Sequence, residues 1–349
     1  MRGYRDRDFV QTKEGYFFCV IGPTHPEDRV FAYLKYVPDP GGKWGKEDNK
    51  YRRVLRYYTM SDLLETLSFV ERLPQYMFHS SAWSVTMSAV PLGRISDHFK
   101  PEEKLSQLKT IERPDVLQRK AIDLIDLISE ASGVQIENFG VTGSLLLDIH
   151  QDFSDIDLIV YGMTNSPQVK EAIVQKFNQK RSPIQPLRTR RAEEWCIEKT
   201  SKFPLTYKEA RAMLERKWGR GLYRGTLFSV HPVKLEEDVF ERYGDRVFKP
   251  EGMIEIKGIV SDDSEADFLP SVYKVEEVTV LDGKKAEDIA DVTSYEGLYG
   301  GIAGEGEWIR AYGKLEKVMD NRLGKEYHRV LVGSKEARGR DYVKPVCLS

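Results

Sequence analysis

The stretch Phe139–Tyr161, FGVTGSLLLDIHQDFSDIDLIVY, decides how this chain is read. A short apolar strand leads to a turn at Gly143-Ser144. A polar-ended connection follows, then a second apolar strand carrying Asp155 and Asp157. Alternate side chains of a strand share a face, so the two aspartates project together while Ile156 and Leu158 point the other way. Carboxylates this close repel each other, and a cation between them lets both stay ionised. Hard oxygen ligands suit Mg²⁺, or Mn²⁺ in its place. Gly143 permits a tight turn, and Ser144 offers a hydroxyl and a backbone N–H to a phosphate. A phosphate-holding turn beside paired metal carboxylates is the equipment of phosphoryl or nucleotidyl transfer.

Gly143-Ser144, ten intervening residues, then Asp155-Ile156-Asp157 with Ser154 before it and Leu158-Ile159-Val160 after it form a signature. It resembles that of the DNA polymerase β-type nucleotidyltransferase superfamily, and the resemblance covers residues 115–161. It implies an α+β fold whose central domain is polymerase β-like, here with extra flanking domains. It also implies transfer of a nucleoside monophosphate from an NTP to an acceptor hydroxyl. Asp155 and Asp157 would be the catalytic metal ligands, and Gly143, Ser144 and Ser154 would lie at the nucleotide. In one respect the chain departs from the pattern. Many members continue Gly-Ser with a small, glycine-containing run, where this chain has Leu145-Leu146-Leu147-Asp148.

The superfamily usually carries a third acid on a neighbouring strand beyond an intervening helix. The next strand read from this sequence, Thr226–Val230, has none, and Ser229 stands between apolar neighbours where the acid belongs. Glu236 and Glu255 are the remaining third-carboxylate candidates. The alternative to a transferase is therefore a catalytically degenerate domain that binds RNA or nucleotide without turnover.

The 349 residues suffice for two or three domains, and 40% hydrophobic with 31% charged residues is an ordinary globular balance. No apolar run approaches a membrane span, and the N-terminus MRGYRDRDF is too charged for a secretory signal. Three scattered cysteines form no zinc pattern, so the reading is a cytoplasmic protein with reduced thiols. The net charge of −2 hides a strong asymmetry: 180–224 hold 13 Lys+Arg against 5 Glu, and 235–308 hold 20 Asp+Glu against 7 Lys+Arg. Arg188, Arg190 and Arg191 in the basic stretch are candidates to hold the triphosphate or the backbone of an RNA acceptor.

Working outward, 1–98 read as a β-rich domain, with strands at Tyr16–Ile21, Val30–Val37, Tyr51–Tyr58 and Trp83–Val90 and a helix opening at Ser61. Residues 99–113 read as a linker and 114–250 as the nucleotidyltransferase domain. In the latter, a helix starts at Asp115 and ends at Gly133, and Thr206–Glu209 is a capping box. Residues 251–349 read as a small all-β barrel, OB-like, with strands at Met253–Val260, Tyr273–Leu281, Trp308–Val318 and Tyr327–Gly333.

Overall fold

The computed structural model describes residues 2–46, 49–54 and 69–346. The chain is mixed α+β, built on three sheets. In the N-terminal sheet the strands are β1 (Phe9–Thr12), β2 (Phe17–Val20), β3 (Arg29–Pro38), β4 (Trp44–Lys46), β5 (Asn49–Arg53), β6 (Met77–Ser80), β7 (Val85–Pro91) and β8 (Ile95–Phe99). They run β4-β5-β3-β2-β1-β8, with β7 pairing both β3 and β6. Strand β3 reads RVFAYLKYVP and is buried on both faces, as its aromatic and β-branched run demands. Lys35 interrupts that run and is buried with it. The helix expected from Ser61 lies outside the described residues, as does the end of the Tyr51–Tyr58 strand.

Residues 99–113 are not a linker. Helix α1 (Pro101–Thr110) starts with proline in its first turn followed by Glu102 and Glu103, which suit the positive end of a helix. Pro101, Lys104, Leu105 and Leu108 are buried. Two leucines are too few to register as a period, and tertiary packing supplies the rest. Helix α2 (Val116–Ser132) begins on an Asp115–Gln118 capping box and ends at Gly133 with φ 72°.

The central unit continues through β9 (Phe139–Val141), α3 (Gly143–Leu146), β10 (Ile156–Tyr161), α4 (Asn165–Asn178), β11 (Ile184–Gln185), α5 (Thr189–Lys202), α6 (Tyr207–Arg216), β12 (Arg220–Tyr223) and β13 (Thr226–Val233). Its sheet runs β11-β12-β13-β10-β9. β10 is parallel to β13, and the other pairs are antiparallel. One face, carrying Val141, Ile156, Leu158, Phe228 and Val230, packs on the apolar stripes of α2 and α4. The opposite face carries the polar residues considered below.

The C-terminal strands are β14 (Arg246–Asp262), β15 (Ser271–Gly283), β16 (Ile289–Ser294), β17 (Trp308–Asp320), β18 (Lys325–Val332) and β19 (Tyr342–Pro345). They run β14-β15-β16-β18-β17-β19, and β14 also pairs β17, which closes a ring of five. Within it β16 and β18 are parallel. Strand β16, IADVTS, escapes a sequence reading because Asp291, Thr293 and Ser294 make half of it polar, yet all three are buried. One continuous core crosses residue 250: Ala192, Trp195 and Met213 of α5 and α6 pack with Ile254, Tyr273 and Ile309 of the ring.

Candidate active site

Gly143 adopts φ +70°, and a Cβ there would lie 2.5 Å from Asp157 Oδ2. Only glycine therefore lets the turn press against that carboxylate. The Thr142 N–H donates to the Asp157 carbonyl at 2.9 Å, and the Thr142 hydroxyl donates to the Arg7 carbonyl at 2.8 Å. The turn is thus clamped between β10 and the N-terminal segment. Ser144 is buried, and its carbonyl accepts from Ile149 N–H at 3.1 Å. Leu146, Leu147 and Ile149 pack with Phe9, Phe17, Tyr33 and Tyr36 of the N-terminal sheet. That contact accounts for two of the three leucines, since Leu146 and Leu147 bind a neighbouring domain while Leu145 packs into the central core.

Asp157 and Ser229 are register partners on β10 and β13, and Ser229 in turn faces Arg220 on β12. The Ser229 hydroxyl donates to Asp157 Oδ1 at 2.5 Å. His231 Nε2 lies 2.8 Å from Ser229 Oγ and 3.8 Å from Asp157 Oδ1. Burial pushes the His231 imidazole down to about 4, helped by the nearby charges of Arg7 and Lys35, so it is neutral at neutral pH. Burial works against the Asp157 carboxylate, but the neighbouring His231 ring, the Lys35 charge and the Ser229 hydroxyl outweigh it. Asp157 stays well below the usual carboxylate range.

Asp155 sits just before β10 and is reached by water. Crowding by the surrounding protein, followed by repulsion from Asp157, raises its carboxyl to about 6. Arg220, Arg53 and Arg191 pull the other way. Three arginines from β12, β5 and α5 therefore act on one carboxyl. A divalent cation between the aspartates would relieve their repulsion, so this donor set fits one hard ion. It does not supply a second: among the described residues no group of three His, Cys, Asp or Glu is placed to hold a metal.

The other sequence candidates fall into two groups. Arg191 acts on Asp155, while Arg190 pairs with Glu194 at 2.7 Å and Arg188 caps α5 on the exposed surface. Ser154 is buried, and its hydroxyl accepts from Gln151 N–H at 3.0 Å, which shapes the turn. Neither third-carboxylate candidate joins the aspartates. Glu236 pairs with Arg5, and Glu255 pairs with Arg310 at 2.7 Å and accepts from the Tyr342 hydroxyl. Glu255 belongs to the C-terminal ring, and Glu236 lies past β13 in a short 3₁₀ turn. The position beside Asp157 on the neighbouring strand belongs to Ser229.

Sequence reading missed Arg7, Lys35 and Arg53, all from the N-terminal domain. Lys35 left one trace, a lone cation inside a strand otherwise apolar from Val30 to Val37. Its ammonium lies 5.2 Å from the Phe9 ring centroid.

No protein-family profile matches the chain, and no solved structure matches it. It is 33% identical over 346 residues to "Uncharacterized protein MJ1086" of Methanocaldococcus jannaschii, in an alignment covering 97% of this chain and 98% of that protein.

Proposed function

The chain belongs to one family with that Methanocaldococcus jannaschii protein, and we propose that it is a metal-dependent nucleotidyltransferase of the polymerase β type with RNA as acceptor. The observation that carries this reading is Asp157 set against the Gly143 turn with Asp155 two residues ahead of it, held above its ordinary range by desolvation and then by repulsion from its partner. The order helix, strand, Gly-Ser turn, antiparallel Asp-x-Asp strand, helix and parallel strand supports it. So does the C-terminal ring, whose order 1-2-3-5-4-1 with one parallel pair is that of an OB barrel, a frequent carrier of nucleic-acid binding.

In this reading Asp155 and Asp157 hold Mg²⁺ or Mn²⁺, which supplies charge neutralisation on the triphosphate of a bound NTP. Arg53, Arg191 and Arg220 attract the phosphates, and Lys35 offsets the Asp157 charge from beneath. Ser229 orients Asp157 by its hydroxyl hydrogen bond. An acceptor hydroxyl attacks the α-phosphorus, its proton passes to solvent, and pyrophosphate leaves.

Incubation with α-labelled NTPs, Mg²⁺ and total RNA tests the reading: label enters RNA with release of pyrophosphate, and Asp155→Asn or Asp157→Asn loses both. A second reading, a degenerate domain that holds nucleotide or RNA without turnover, is favoured by Ser229 at the third-carboxylate position. Saturable nucleotide binding without pyrophosphate release would select it. The chain has no helix, among its described residues, long and apolar enough to cross a membrane.

A further inference from the structure

Beyond Arg220, away from the aspartates, lies a second concentration of positive charge. Lys217 ends α6, and its ammonium donates to the carbonyls of Gly297, at 3.1 Å, and Gly300. These carbonyls belong to the glycine-bearing loop between β16 and β17. Lys217 makes no ion pair among the described residues. Burial pushes it down to about 7, and Lys199, Arg220 and Lys170 push the same way against Asp267 alone. Lys170 is tied to Asp267 at 2.9 Å, and Lys199 and Lys202 share Glu198 at 3.0 and 2.9 Å. Four cations, Lys170, Lys199, Lys217 and Arg220, thus face three carboxylates, Asp267, Glu198 and Asp155. The Nε of Arg220 is buried with no hydrogen-bond partner. A guanidinium N–H in that state leaves desolvation uncompensated unless an acceptor arrives from outside the chain.

Crowded cations of this kind repel, and a multivalent oxyanion offsets all of them at once. Arginine and lysine together, one a planar fork and the other a point charge, are the pair that phosphate recruits. From this geometry we infer that the space bounded by Lys199, Lys217, Arg220 and the Gly297–Gly300 loop is a phosphate-binding site that shares Arg220 with the aspartate site and is independent of metal. Its place between the central sheet and the C-terminal ring means that both units contribute to it. The same chemistry serves the phosphate tail of a nucleotide or the backbone of a polynucleotide.

The test is isothermal titration of the full chain in EDTA at low salt, which silences any metal-dependent binding at Asp155 and Asp157. One arm uses tripolyphosphate and the other a short single-stranded oligonucleotide with a 5′-hydroxyl. Saturable binding in the first arm alone assigns the site to a nucleotide tail, and in the second to a backbone; both outcomes support the site. Arg220→Gln and Lys199→Gln should each weaken the arm that binds about tenfold, with unchanged thermal unfolding. Asp155→Asn should bind at least as tightly as wild type, because it removes a negative charge facing Arg220. No binding in either arm overturns the inference. So does binding that Arg220→Gln and Lys199→Gln both leave unchanged, since the anion would then lie elsewhere. Failure here leaves the metal-dependent reading untouched, because EDTA has removed it from the assay.

Discussion

The two faces of the central sheet are built in opposite ways. The face carrying Ile156, Leu158, Val160, Phe228 and Val230 is closed by α2 and α4, which adjoin those strands in the chain. The face carrying Asp157, Ser229 and Arg220 is finished by residues from far away: Arg7, Lys35 and Arg53 from the N-terminal domain and Arg191 from α5. The first face is a stability element made of local amphipathic segments. The second is an electrostatic assembly in which no two adjacent segments of chain contain the whole site. Buried apolar contacts are interchangeable in kind, whereas charge compensation depends on which particular group arrives.

The largest effect that separates the faces is a core truncation. Phe228→Ala should lower unfolding free energy by about 3–5 kcal/mol in a urea melt. Ser229→Ala, one residue along on the other face, should lie within about 1.5 kcal/mol of wild type. Equal losses from the two would break the division. Next is Asp157→Ala, which should reduce nucleotidyl transfer by roughly 10²-fold or more while the circular dichroism spectrum is unchanged. Activity within a few-fold of wild type would remove the charged face from the chemistry.

Gly143→Ala comes third. The left-handed backbone adds about 1–2 kcal/mol. The new methyl would also press on Asp157 Oδ2. Both stability and activity should fall, which no other position in the turn is expected to combine; a stable, active variant would mean that the turn and the carboxylate are uncoupled. The smallest effect concerns Asp155 without metal. Its folded-state carboxyl is raised to about 6 against an unfolded value near the ordinary one. Above pH 6 both states are ionised and the folded state bears the desolvation of the charge and its repulsion by Asp157, so Asp155→Asn should stabilise the protein there. The gain should fade as pH falls from 6 to 4, where the folded carboxyl is already protonated. Water reaches this side chain, so the gain is at most about 1 kcal/mol. Thermal melts in EDTA at pH 4 and pH 7 measure it, and equal shifts at both would show that the repulsion is absent.

Much of the first face was legible because helix and strand periods are short-range patterns. The Asp115–Gly133 helix, the Thr206 capping box and the strands around Asp155 and Asp157 each depend on neighbours within four residues. Helix α1 was missed for the converse reason, since two leucines become a buried stripe only once β9 lies against them. The triple leucine after Ser144 has no local reason, because Leu146 and Leu147 serve a contact with the N-terminal sheet more than a hundred residues earlier in the chain. Of the three neighbouring arginines, the side chain that acts on Asp155 depends on the phase of α5, and Arg190 is turned away onto Glu194.

Primary structure alone placed Asp157 in a strand with Asp155 just ahead of it and a glycine bend before both, since strand propensity and left-handed backbone are properties of adjacent residues. Tertiary folding alone decided that Ser229 hydrogen-bonds Asp157, that Lys35 and His231 lie close enough to lower the Asp157 carboxyl, and that Arg220 acts on Asp155. Those groups lie from 65 to 122 residues away from their partners by number, and such a separation carries no local period or cap to read. Electrostatic energy depends on distance in space and on burial, and both exist only after the three sheets have come together.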